Sequence, residues 1–85
     1  MKNFEYVIKD NLGIHARPAG VIIKEAAKYT STITVSKGEK SVDGKKLFAL
    51  MSLAVKHGET IAFAIEGEDE EAAYEGIKAL IETTL

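Results

Sequence analysis

Cysteine is absent from the 85 residues, so neither a disulfide framework nor thiolate chemistry is open to this chain. No apolar run approaches the roughly 20 residues that a membrane span needs. The opening Met1-Lys2-Asn3-Phe4-Glu5-Tyr6 carries charge but lacks the apolar stretch of a secretion signal. Linkers, repeats and low-complexity tracts are missing as well. The only two histidines, His15 and His57, lie far apart and without cysteine, which is not a metal-site signature. These absences lead to the expectation of one soluble, cytoplasmic domain over residues 1–85, burying roughly 60% of its unfolded surface around one two-layer core.

What is present is unevenly charged. Residues 1–65 hold ten Lys or Arg against six Asp or Glu, a formal +4, whereas residues 66–85 hold Lys78 against seven acids, a formal −6. The basic part carries the candidate chemistry, so an acidic partner fits it, while the acids also suit the start of a helix.

Along the chain, Phe4, Tyr6 and Ile8 alternate with polar residues and predict a strand over about 2–9. Asp10-Asn11-Leu12-Gly13 reads as a turn or loop. From Ala16 the apolar residues Ala19, Ile22, Ile23, Ala26 and Ala27 recur at helical spacing, predicting a helix from about 16 to Tyr29-Thr30. Pro18, the one proline, sits where a first turn tolerates it. Thr32–Ser36 alternates and is β-branched, a second strand, and Gly38-Glu39 turns it into a third around Lys40–Val42. Leu47, Leu50, Met51 and Ala54 predict a short helix closed by Lys56-His57-Gly58. Ile61, Phe63 and Ile65 make a fourth strand. Asp69 is the expected N-cap of a last helix lined by Ala73, Ile77, Leu80 and Ile81. The order β-α-β-β-α-β-α, with one apolar face per element, predicts an α+β open-faced sandwich: a largely antiparallel sheet with helices on one side.

The segment Gly13-Ile14-His15-Ala16-Arg17-Pro18-Ala19 carries the chemistry. His15 falls at the junction of loop and helix, where first-turn N–H groups have no intrahelical partner and the dipole presents positive potential. That potential disfavours imidazolium and leaves a ring nitrogen available as a nucleophile, and the same N–H groups suit a phosphoryl group on the ring. Arg17 adds a guanidinium fork for phosphate oxygens. The same geometry suits a passive anion site, and residue chemistry alone leaves both open.

This segment resembles the active-site signature of HPr, the histidine-containing phosphocarrier of the bacterial phosphoenolpyruvate:sugar phosphotransferase system. A second block, Lys40-Ser41-Val42-Asp43-Gly44-Lys45-Lys46-Leu47-Phe48-Ala49-Leu50-Met51-Ser52-Leu53, falls in register with the same family, and the likeness spans essentially the whole chain. The resemblance implies that His15 accepts a phosphoryl group on Nδ1 from enzyme I and donates it to IIA domains of sugar permeases, with Arg17 contacting the phosphate. It implies the strand order 1-4-2-3 with three helices on one face. It also implies a docking surface of Ala16, Gly20, Lys46, Leu47, Phe48 and Met51. By spacing alone, Leu47, Leu50 and Met51 read as core at least in part, and Phe48 is the residue left facing outward.

Position 46 departs from many family members, which carry there a serine phosphorylated by an ATP-dependent kinase. Lysine has no hydroxyl, so that switch is expected to be absent. Lys40, Lys45 and Lys46 form too short a patch, without aromatic interleaving, for nucleic-acid binding. A small enzyme using His15 as general base lacks a second catalytic group and the chain to wall off a pocket. The family's regulatory paralogues lack the active histidine and keep the serine, the reverse of this sequence. A monomeric carrier without cofactor, metal or membrane insertion, not itself an enzyme, is the resulting expectation.

Overall fold

Alternation sets the strands and pins their register. In the computed structural model, which describes residues 1–14 and 16–85, the elements are β1 (Lys2–Val7), α1 (Ala16–Ala26), β2 (Thr32–Lys37), β3 (Lys40–Asp43), α2 (Leu47–Met51), β4 (Thr60–Glu66) and α3 (Glu70–Thr84). The strands form one antiparallel sheet in the order β1-β4-β2-β3. Ile33 and Val35 of β2 and Ile61, Phe63 and Ile65 of β4 are buried against the helices. A one-residue slip would turn all five to solvent, which fixes the pairing. The opposite face carries rows such as Asn3, Ala64, Thr34 and Asp43, small or polar residues that water can cover.

The helices lie on the apolar face. Ala19, Ile22 and Ala26 of α1 and Ala73, Ile77 and Ile81 of α3 are fully buried, spaced three or four apart as a single helical stripe requires. Leu50 supplies the buried side of α2. Phe4 stacks on Phe63 with ring centroids 4.9 Å apart and meets the Tyr74 edge at 5.5 Å, tying β1 to α3. No helix of the described residues is long and apolar enough to cross a membrane.

Two local expectations are corrected, and a third, the N-cap at Asp69, holds in position but not in side-chain bonding. The first helix ends at Ala26, not near Tyr29-Thr30, because its last turn tightens: Lys28 N–H donates to the Glu25 carbonyl and Tyr29 N–H to that of Ala26. The Lys45 ammonium then donates to the Tyr29 carbonyl at 2.6 Å. The second helix ends at Met51, so Lys56-His57-Gly58 is not its C-terminus. The Ser52 hydroxyl donates back to the Ala49 carbonyl at 2.6 Å, and Ala54 takes a left-handed φ of 52° that no helix continues through. His57 lies instead in an exposed turn leading into β4. Asp69 holds the N-cap position of α3 without a capping side-chain bond. Its carboxylate is taken by the loop after α1, accepting from the N–H groups of Thr30 and Ser31 at 2.9 and 3.0 Å and from the Ser31 hydroxyl.

Candidate functional site

The segment leading to α1 is held at several points. Lys9 and Asp10 N–H groups both donate to the main-chain oxygen of Leu85, at 2.8 and 2.7 Å. The Asp10 carboxylate then accepts from Leu12 N–H at 2.8 Å, an Asx turn, while the Asp10 carbonyl accepts from Gly13 N–H at 3.0 Å. Gly13 has a φ of 70°, and a Cβ there would run into the Val55 carbonyl oxygen, so glycine is needed for both conformation and space. Ile14 is buried, and its N–H donates to that same Val55 oxygen at 3.1 Å. The loop is therefore fixed up to the residue before His15.

The segment it rests on is fixed in turn. Lys56 N–H donates to the Glu59 carboxylate at 2.7 Å, and Lys37 of β2 reaches the same oxygen at 3.3 Å. That backbone N–H first, and the Lys37 ammonium second, hold the Glu59 carboxyl below its ordinary value. Lys37 also donates to the Ala54 carbonyl, and Lys40 donates to the Ser52 carbonyl at 2.7 Å. With Lys45 on the Tyr29 carbonyl, three lysines of the basic stretch thus bind carbonyls just past the C-terminal ends of α1 and α2.

His15 itself lies outside the described residues. Immediately after it, α1 opens with Ala16 and Arg17, both exposed, followed by Pro18 and Ala19, both buried. Burial of Pro18 and Ala19 against the core sets the helix phase so that Arg17 points to solvent. A hollow of about 290 Å³ beside Arg17 is lined by Asp10, Pro18, Val21, Thr83 and Thr84. Among the described residues, Arg17 makes no ion pair.

The second block lies on α2, which packs against α1. Leu50 is buried, Leu47 and Met51 are half-buried against the core, and Phe48 is 83% exposed. Gly20 is exposed on α1, and a Cβ there would meet nothing. Lys46 is the exposed N-cap residue of α2, extended at φ −118° and ψ 119°, and makes no capping side-chain bond. This is the place where a hydroxyl side chain would cap. Sequence spacing missed two exposed apolar residues: Leu12, 72% exposed, and Val21, 40% exposed. Leu12 gave no signal because loops carry no period, whereas Val21, four residues after Arg17, could have been placed by the helical repeat. Among the described residues, no group of three His, Cys, Asp or Glu could hold a metal ion.

Comparison with known proteins gives these features a family. Residues 2–83 match the family described as the PTS HPr component phosphorylation site. The phosphocarrier protein HPr of Mycoplasma capricolum is 40% identical over the whole of this chain and 97% of its own length. A solved Mycoplasma histidine-containing phosphocarrier protein superimposes with a TM-score of 0.94 at 39% identity, covering 99% of this chain and 97% of that one. An HPr from Thermoanaerobacter tengcongensis, solved as a dimer, superimposes with a TM-score of 0.77 at 40% identity, covering 98% and 95%. The shared sheet order, the glycine-fixed loop and the motif after it have one explanation: the chain belongs to the HPr family of the phosphotransferase system.

Proposed function

We propose that this chain is a cytoplasmic phosphocarrier that accepts a phosphoryl group on Nδ1 of His15 from enzyme I and passes it to IIA domains of sugar permeases. The observation that carries this is the exposed Arg17 in the first turn of α1, directly after His15, within a family match that covers residues 2–83. In loading, the unprotonated ring nitrogen attacks phosphorus as the bond from phosphorus to the donor breaks. In unloading, the acceptor's nucleophile attacks and the N–P bond breaks. No water enters either step, so the group is transferred rather than released. First-turn N–H groups and the Arg17 guanidinium are suited to the equatorial oxygens, where charge concentrates.

Phe48, with Leu47, Met51, Ala16 and Gly20, brings both partners to the histidine, and an exposed aromatic is a natural anchor for such a contact. Lys46 keeps this surface cationic. A phosphoserine there would add about −1.5 to −2 charges and repel an acidic partner, so the carrier is held in its docking-competent form, outside serine-kinase control. The domain works as a monomer in this scheme.

Incubation with phosphoenolpyruvate, magnesium and enzyme I tests the carrier role. Acid-labile, base-stable phosphate on His15, chased off by a IIA domain, is the expected result, and no label would leave only a binding module. Incubation with an HPr kinase and ATP tests the regulation. A phosphoserine that slows loading of His15 would overturn it.

A further inference from the structure

We infer that, given the carrier role proposed above, Glu59 is a positioning residue for phosphoryl transfer at His15. Its carboxylate orients the Val55–Lys56 peptide, and that peptide holds the backbone one residue before His15.

A trans peptide carries its C=O and its N–H on opposite sides of one plane. The peptide joining Val55 to Lys56 is bonded through both. Its N–H donates to Oε1 of Glu59 at 2.7 Å, and its carbonyl accepts from Ile14 N–H at 3.1 Å. Because the plane is rigid, a rotation that breaks one bond misaligns the other. The carboxylate makes the first bond charge-assisted, about twice as strong as a neutral one. It also polarises the peptide, so the Val55 oxygen becomes a better acceptor for Ile14. The same oxygen stands where a Gly13 Cβ would be, so the loop before His15 rests directly on this peptide.

Glu59 is placed independently of the motif. Its N–H donates to the Lys56 carbonyl at 3.1 Å, and its carbonyl accepts from Ile8 N–H at 2.9 Å, tying the turn to the end of β1. Lys37 of β2 reaches the carboxylate at 3.3 Å. The Lys56 N–H, then the Lys37 ammonium and the Lys56 charge, keep the group ionised at neutral pH. Ile14 and His15 share one peptide, with Cα atoms about 3.8 Å apart, so a shift at Ile14 passes to His15 through backbone alone. Glu59 offers a partner no apolar area, so its effect falls on the rate of transfer and not on docking.

Rapid-quench transfer from phosphorylated enzyme I, measured against carrier concentration, separates the saturated rate from the concentration that gives half of it. Glu59→Ala should lower the saturated rate about tenfold, short of the roughly 10²-fold that a 1 Å misplacement costs. Half-saturation should stay within about twofold of the parent, since the docking side chains are untouched. Glu59→Gln keeps an acceptor oxygen without its charge and should recover a rate within about threefold of the parent. Lys37→Met removes the ion pair but leaves the Lys56 N–H on Glu59. It should lower the melting temperature while keeping the rate within about twofold, and so reports what lost stability alone does. Nuclear magnetic resonance reads the relay without transfer. On acidification the Lys56 and Ile14 amide protons should shift with a common midpoint below 4.5, a shared step absent from Glu59→Gln. An undiminished saturated rate in Glu59→Ala, an equal loss in Lys37→Met, or unrelated midpoints for the two amides overturns the role of Glu59 and leaves the carrier reading standing. The amide titration of the parent decides alone if Glu59→Ala does not fold. A parent protein that takes no label overturns both.

Discussion

The charged groups of this molecule divide into two populations. At the start of α3 and on and just after the β2–β3 hairpin they are paired within the chain. Asp69 holds Thr30 and Ser31, Glu70 accepts from Gly67 N–H, Lys2 pairs with Glu71, and Lys37, Lys40 and Lys45 cap carbonyls. Around the motif, Arg17, Lys24, Lys46 and Lys56 make no ion pair or side-chain hydrogen bond with any other described residue. Lysines of the same basic stretch thus serve opposite ends. Those with carbonyl or carboxylate partners act on stability, and those without are available to another protein. Net charge alone does not make that distinction.

Substitutions in the two populations should therefore separate stability from transfer. The largest effect is expected of Arg17→Ala, which should slow phosphotransfer to His15 by about 10²-fold, the scale of losing one charged donor to a developing oxyanion. Because Arg17 is exposed and unpaired among the described residues, its melting temperature should stay at the parent value by calorimetry. A large drop would place Arg17 with the structural group instead.

Asp69→Asn should do the reverse, lowering the melting temperature by a few degrees and leaving transfer intact at room temperature. The Ser31 hydroxyl first, and the Thr30 N–H second, hold the Asp69 carboxyl below its ordinary 3.8. A carboxyl depressed in the folded state contributes stability above its unfolded value and loses it as pH falls through the folded one. The parent should accordingly lose more stability than Asp69→Asn on acidification below about pH 4, measured by denaturant titration at each pH. Equal losses would remove Asp69 from the structural group.

The smallest effect is expected of Lys56→Gln, whose main chain lies beside Gly13 and whose side chain makes no ion pair among the described residues. KM for the donor should rise about two- to threefold at low salt, in line with a rim charge acting on encounter. The difference should vanish near 1 M salt, where the screening length is about 3 Å. A salt-independent effect would mean that Lys56 makes a desolvated contact.

Much of the fold was legible because it rests on period. The alternation at Thr32–Ser36 and Ile61–Ile65 and the stripe through Ala19, Ile22 and Ala26 determine elements and faces directly. What sequence spacing missed depends on contacts between elements. The end of α1 follows from Lys45 reaching the Tyr29 carbonyl, sixteen residues away, and from Glu25 binding the Lys28 and Tyr29 side chains. The end of α2 follows from the Ser52 hydroxyl and from Ala54, a non-glycine residue in a left-handed conformation. Asp69 looked like a cap because its position is right, but a loop 38 residues earlier takes its carboxylate. Of the candidate site, the exposure of Arg17 and of Phe48 was legible from helix phase. Leu12 was not, since its exposure is set by Asp10 and Gly13 turning the chain.

The most direct measurement is the site of phosphate after incubation with phosphoenolpyruvate, magnesium and enzyme I, read by mass spectrometry under basic conditions that preserve phosphohistidine. One phosphate on His15, absent from His15→Ala and removable by a IIA domain, is the predicted result. An unmodified His15, or label that lands on His57 or a hydroxyl, would contradict the carrier role.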